Sequence, residues 1–150
     1  MKNFFLVLVS FLIVSSSLAQ TNANNSSAKV SFNGKTCDAL IARLVDPNDY
    51  LGVELAGISA EDMLKEKGKT PTGMNVNLKK DAKVMNMAEF FDFYKVPEAN
   101  QKIIKVDGVV LKIRENFLAS KMMISKVDFA KDSAGNFFAN ITTVNKNNKK

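Results

Sequence analysis

The residue types that carry most enzyme chemistry are scarce in this chain. It has no histidine, which removes the commonest general base and the commonest metal ligand. Cys37 is the single cysteine, so cysteine–histidine nucleophilic pairs and cysteine–histidine zinc sites are excluded within the chain. The only Ser-x-x-Lys spacing joins Ser26 to Lys29, in a polar stretch that cannot hold a catalytic geometry. We therefore predict no catalytic residue, no cofactor and no bound metal.

The acidic residues have structural explanations as well as chemical ones. Glu61 and Asp62 are adjacent at a predicted helix start, where negative charge favours the helix dipole. Asp46, Asn48 and Asp49 alternate like calcium ligands, but the glycine and the distal glutamate of a calcium loop are missing. A small hydrolase that uses an unrecognised carboxylate or serine is one of three functional hypotheses, and the other two are given below.

Four aromatic residues are the strongest candidate for a binding surface. Phe90, Phe91, Phe93 and Tyr94 lie on one short predicted helix. One face of this helix can enter the core, and Phe93 then points elsewhere. The cluster is interpreted as core packing, with a surface for a protein partner or an apolar ligand as the functional alternative.

The first twenty residues predict export. Lys2 precedes an apolar run from Phe4 to Val14, and Leu18-Ala19-Gln20 ends the segment with small residues. The run is too short to span a bilayer, so we expect a cleaved signal peptide and no stable membrane span afterwards. The expected location is the periplasm or the extracellular space.

The remaining chain is organised simply. Residues 21–28 predict a flexible leader, residues 29–144 a single domain without internal repeats, and residues 145–150 a basic disordered tail. Loss of the signal peptide leaves 20 basic against 15 acidic residues, a net charge of +5 with both signs interspersed. No basic face is evident, so nucleic acid is not an expected partner. Cys37 cannot form an internal disulfide and is interpreted as a buried apolar residue, because free cysteines are usually buried.

Periodicity within residues 29–144 predicts an α+β fold with one mixed sheet of four to six strands and about three short helices. Residues 60–67 and 87–95 are predicted helices, the second capped by Asn86, and residues 115–120 suit one or two further helical turns. Residues 38–45 fit a strand or a short helix. The predicted strands begin near Val30, Tyr50, Met74, Ile103, Ile124 and Phe137.

The segment from residue 97 to 144 resembles a known family. The stretch Ile104-Lys-Val-Asp-Gly-Val109, followed by Ile124-Ser-Lys-Val-Asp-Phe-Ala-Lys-Asp-Ser-Ala134, is similar to the plug domain of TonB-dependent outer-membrane receptors. The signal peptide and the Asn- and Lys-rich composition resemble exported proteins of Bacteroidota. The chain departs from the family pattern at Phe129-Ala130 and at Asn136-Phe137.

This resemblance implies a free-standing plug-like module, because a receptor barrel needs many more strands than this length supplies. The implied framework residues are Val106, Asp107, Gly108, Val109, Val127, Lys131 and Asp132. The leading hypothesis is a non-enzymatic exported module that binds a protein partner at the cell envelope. The alternative is a periplasmic carrier or sensor of a small apolar ligand, whose pocket the four aromatic residues would line. The sequence does not indicate an oligomeric state.

Overall fold

The computed structural model describes residues 29–57 and 72–144, and it confirms the α+β class. Strands dominate this part of the chain. They are β1 (Lys29–Phe32), β2 (Lys35–Cys37), β3 (Tyr50–Ala56), β4 (Gly73–Leu78), β5 (Val84–Met85), β6 (Ile104–Val106), β7 (Val109–Val110), β8 (Ala119–Ser120), β9 (Ile124–Lys131) and β10 (Phe137–Thr143). The α-helix of the described part, α1, runs from Met87 to Phe93.

The strands form two mixed four-stranded sheets and a small third one. The first sheet has the order β2-β1-β4-β3, the second has the order β7-β6-β10-β9, and β5 pairs with β8. In each large sheet the two middle strands are parallel, and both outer pairs are antiparallel. The sequence predicted one mixed sheet, whereas the described residues form two large mixed sheets.

The two large sheets share one topology, a structural similarity that the sequence prediction did not anticipate. Each begins with a two-residue hairpin whose turn has positive φ at both positions, Asn33-Gly34 in one and Asp107-Gly108 in the other. Each then places a long strand antiparallel to a second long strand, which pairs in parallel with the first strand of the hairpin. The antiparallel pairs β3–β4 and β9–β10 each contain a register shift. It lies between Tyr50 and Gly52 in the first pair and between Thr142 and Thr143 in the second.

A shift of 74 positions aligns residues 29–56 with residues 103–130 without a gap. Few residues are identical at the equivalent positions, which explains why this similarity is not visible in the sequence. The identical pairs are Gly34 and Gly108, Leu44 and Leu118, Val53 and Val127, and Ala56 and Ala130. The two segments share turn geometry and apolar character at several buried positions, namely Val30 and Ile104, Phe32 and Val106, and Cys37 and Leu111. We call residues 29–57 with 72–78 the first half and residues 103–143 the second half.

The halves share one hydrophobic core and are joined by direct hydrogen bonds. Ser120 donates its backbone N–H to the carbonyl of Leu44 at 2.7 Å, and its Oγ accepts from the backbone N–H of Asp46 at 3.0 Å. The buried carboxylate of Asp38 accepts from the backbone N–H groups of Lys112 at 2.8 Å and Ile113 at 3.2 Å. Because these groups are largely buried, their pairing fixes how the halves dock.

One predicted element differs from the structure, and one left open is decided. Residues 115–120 are not helical, because Asn116 has a φ of 58° and Ala119–Ser120 pair with β5. Residues 38–45, left open between strand and helix, contain a short 3₁₀ helix over Ala39–Arg43. The predicted helix at residues 60–67 lies outside the described residues.

Candidate partner-binding surface

Helix α1 forms because its first turn carries a complete capping box. The side chain of Asn86 accepts from the backbone N–H of Glu89 at 3.0 Å, and Glu89 Oε2 accepts from the backbone N–H of Asn86 at 2.8 Å. Two of the N–H groups that a helix start leaves unpaired are thereby satisfied. The predicted cap at Asn86 is confirmed.

The helix ends two residues earlier than predicted, in a Schellman motif. Val96 donates its N–H to the carbonyl of Phe91 at 2.9 Å, and Lys95 donates to the carbonyl of Asp92 at 3.3 Å. Lys95 has a φ of 52°, a conformation that usually belongs to glycine at this position. The motif brings Val96 back beside the helix, where it borders the same groove as Phe91.

The four aromatic side chains divide between the core and the surface. Phe90 is fully buried, and its ring centroid lies 5.3 Å from that of Phe117 and 5.0 Å from that of Tyr94. Phe91 and Tyr94 are half-buried and pack against the core. Burial raises the pKa of the Tyr94 hydroxyl. These three rings therefore stabilise α1 against the body of the protein.

Phe93 is the aromatic residue of this cluster that faces solvent. It is 49% exposed, packs edge-on against Tyr94, and has the Lys121 Nζ atom 4.8 Å from its ring centroid. The lysine covers part of the ring through a cation–π contact. Phe93 therefore presents an aromatic surface with a cation beside it.

An open groove lies along the same helix and has a volume of about 580 Å³. Its apolar lining comes from Ala88, Phe91 and Val96, and its polar lining from Asp92, Lys95 and Gln101. Asp92 and Lys95 form an exposed ion pair at 2.9 Å. The groove opens to solvent, unlike the enclosed cavity that a carrier of apolar ligands needs. We call this groove the α1 surface; Phe93 lies on another side of the helix and does not line it.

The framework residues that the resemblance implied lie at the β6–β7 and β9–β10 hairpins. Asp107 and Gly108 form the predicted turn, with φ values of 50° and 82°. Asp107 accepts from the backbone N–H and the hydroxyl of Thr143, each at 2.8 Å, and pairs with Arg43 at 3.2 Å. Val106 is buried, whereas Val109 is about half exposed. Their roles in this structure are those of a turn and a core strand.

The second hairpin holds the other three framework residues. Val127 packs against the core, and Lys131 Nζ lies 5.0 Å from the ring centroid of Phe137. Asp132 accepts from the backbone N–H of Asn136 at 2.8 Å and from its side-chain amide at 3.1 Å. These hydrogen bonds to Asn136 lower the pKa of Asp132. They close the turn between β9 and β10.

Titratable groups also meet in the core of the first half, where Cys37 is buried as predicted. Burial, followed by the neighbouring charge of Asp38, raises the pKa of the Cys37 thiol to about 12. Burial, followed by the charges of Asp46 and Cys37, raises the pKa of the Tyr50 hydroxyl. Because the reactive form of cysteine is the thiolate, this protonated thiol is a poor nucleophile at neutral pH.

Asp46, which was considered as a calcium ligand, has a structural partner. Asp46 Oδ1 accepts from the backbone N–H of Asn48 at 3.0 Å and caps a 3₁₀ turn. Over residues 29–57 and 72–144 no group of three acidic or cysteine side chains is placed to hold a metal ion. Glu61, Asp62 and Ser26 lie outside those ranges. The same part of the chain contains no helix with the length and apolarity needed to cross a membrane.

Sequence reasoning missed several asparagines that hold the strands together. Asn33 accepts from Leu78, Asn75 accepts from Gly34, and Asn140 accepts from Gly108, all through backbone N–H groups. The Asn33-Gly34 dipeptide between apolar alternations was a detectable hairpin signal. The other two have no local signal, because their partners lie more than 30 residues away.

No protein-family model matches this chain, and no curated protein or solved structure is similar to it.

Proposed function

We propose that this protein is a non-enzymatic exported module that binds a protein partner at the cell envelope through the α1 surface. The observation that supports it is the open groove of about 580 Å³, whose apolar lining comes from Ala88, Phe91 and Val96. An apolar groove bordered by polar groups is typical of sites where a few anchor residues of a partner bind.

The partner that fits this surface is a polypeptide segment with one apolar anchor side chain. Ala88, Phe91 and Val96 offer the anchor an apolar floor, and Asp92 and Lys95 offer polar groups at the rim. A central apolar contact with a polar rim is the usual arrangement of protein interfaces. The groove's openness favours such a segment over a fully enclosed small molecule.

Export and the plug-like character are parts of this proposal. They rest on the first twenty residues and on the motifs at residues 104–109 and 124–134. The described hydrogen bonds of Asp107 and Asp132 are consistent with a framework role for these motifs. The plug-like module would act by contact with its partner, without bond chemistry.

A matched pair of substitutions tests the surface. Ala88→Glu places a carboxylate in the groove at an exposed helix position, and Leu51→Glu places the same group on exposed strand β3. Protein isolated from the envelope fraction of its own cells should retain a specific partner with wild type and with Leu51→Glu. Ala88→Glu should reduce partner recovery about tenfold, since a buried unpaired charge opposes binding.

A photoreactive amino acid at Lys95 then identifies whether that partner contacts the groove directly. Crosslinking at Lys95 and none at position 51 is the expected result. Equal partner recovery with both glutamate variants would contradict the α1 surface as the binding site. Absence of any envelope partner would contradict the proposed function as a whole.

A further inference from the structure

Strand β9 lies at the edge of the second large sheet and is long for an edge strand. It runs over eight residues, Ile124–Lys131, and it is the last strand in the order β7-β6-β10-β9. Within the described ranges no strand pairs with its outer side. Edge strands of this length offer unpaired N–H and C=O groups to another strand.

The backbone groups that face outward follow from the pairing with β10. Ala139 donates to Ile103, and Ile141 accepts from Asp107, so the odd-numbered residues of β10 face β6. Its even-numbered residues consequently face β9, where they lie opposite Lys126, Asp128 and Ala130. The backbone groups of Val127 and Phe129 therefore point away from the sheet.

This edge is complementary to itself. In an antiparallel pair of two β9 strands with Val127 at the centre, Lys126 of each copy lies directly opposite Asp128 of the other. The outward backbone groups of the two Val127 residues then face each other as a hydrogen-bonded pair. Lys126 and Asp128 are on the solvent side, and in the single chain they bind each other at 3.0 Å. Opposite charges placed directly across a strand pair stabilise it.

Phe129 adds an apolar contribution to the same register. It is 42% exposed in the single chain and lies on the same face of β9 as Val127, so its ring can cover the neighbouring strand of the second copy. The equivalent strand β3 of the first half lacks these features. Gly52 stands where β9 has Lys126, so Glu54 would face no cation in the corresponding pairing.

We propose that the protein forms a two-fold symmetric dimer by antiparallel pairing of β9 with β9 of a second copy, centred on Val127. The four-stranded sheets β7-β6-β10-β9 of the two copies then join into one eight-stranded sheet across the dimer. A contact of this kind is isologous, so it closes after two copies. The proposal is independent of the α1 surface.

Charge reversal tests the register with the full chain. Lys126→Asp gives each chain two carboxylates on the edge, and Asp128→Lys gives each chain two ammonium groups. Sedimentation equilibrium should show a dimer for wild type and a dissociation constant at least about tenfold higher for each variant. An equimolar mixture of the two variants should recover a dimer, because opposite charges again face each other at both positions.

The double variant Lys126→Asp with Asp128→Lys is the control, and it should dimerise like wild type. Both side chains are largely exposed, and far-ultraviolet circular dichroism verifies that each variant is folded. Phe129→Pro removes an outward N–H without touching a bond to β10, and it should also abolish the dimer. A wild-type protein that stays monomeric up to about 1 mM would overturn the proposal. Single variants that dimerise as tightly as wild type would overturn it as well.

Discussion

Asn33 and Asp107 perform the same task in two hairpins that lie 74 positions apart. The Oδ1 atom of Asn33 accepts from the backbone N–H of Leu78 at 2.8 Å, and that of Asp107 accepts from Thr143 at the same distance. Both residues have φ near 50°, a conformation that Asn and Asp tolerate better than most residues. Only Asp107 adds an ion pair, to Arg43.

This equivalence predicts the effect of substitution at Asp107. Asp107→Asn keeps the acceptor, as Asn33 does, and should lower the free energy of unfolding by less than about 1 kcal/mol, since partly exposed ion pairs contribute little. Asp107→Ala loses both acceptor oxygens and places alanine at positive φ, so it should cost about 2–3 kcal/mol. Urea denaturation measures both. Equal costs for the two variants would refute the equivalence of the turns.

Gly73 and Gly52 differ in how much space a side chain would find at their positions. A Cβ atom at Gly73 would lie 2.7 Å from the backbone carbonyl oxygen of Lys29, whereas a Cβ atom at Gly52 would meet nothing within 4 Å. Gly73→Ala should therefore force β1 and β4 apart and cost about 1–3 kcal/mol of stability. Gly52→Ala should change stability by less than about 0.5 kcal/mol. Thermal unfolding of both variants tests the close approach of the two strands.

The raised pKa of Tyr50 predicts that the protein loses stability in alkaline solution. The buried Tyr50 hydroxyl has no hydrogen-bond partner among residues 29–57 and 72–144, and its pKa is raised above the ordinary value of 10.0. The folded state therefore holds the proton more tightly than the unfolded state. The resulting stability is complete below pH 10 and falls as the pH rises above it.

Tyr50→Phe removes this titration together with an unsatisfied polar atom. We expect the variant to be at least as stable as wild type near pH 8 and to lose less stability by about pH 10.5. Urea denaturation at both pH values measures the difference. An identical pH dependence in the two proteins would show that Tyr50 is not the responsible group.

Cys37 should be nearly unreactive in the native protein. Its pKa of about 12, against 9.0 for an ordinary cysteine, lowers the thiolate population roughly a thousandfold at pH 8, and its side chain is also buried. Labelling by a chromogenic disulfide reagent should be at least about thirtyfold slower in native protein than in urea, because the greater nucleophilicity of a more basic thiolate offsets part of the smaller thiolate population. Rapid native labelling would place the thiol at the surface.

Elements built from local signals were predictable from the sequence. The Asp107-Gly108 turn needs two residues that accept positive φ, and the Asn86 cap needs Glu89 three positions later, so both could be identified within a few residues. The strands around Met74 and Phe137 followed from apolar alternation. These features depend on chemistry contained in the segment itself.

Elements that depend on distant partners were not predictable. Ala119–Ser120 form a strand because β5 and Leu44 supply their hydrogen bonds, and no local pattern reveals that. The shared topology of the two large sheets was not visible in the sequence because a core accepts many combinations of apolar side chains. For the aromatic cluster, helical spacing separated Phe93 from Phe90, but the groove arises from the return of Val96 after the helix.

Each large sheet is completed by a strand that comes late in its half of the chain. β10 pairs with both β6 and β9, so neither of them has its main neighbour until residue 143 has been synthesised. Until then the second half retains unpaired strands and cannot close its core. The second half can therefore complete its sheet only after residue 143 has been synthesised, whereas the first half can complete its own large sheet once residue 78 is present.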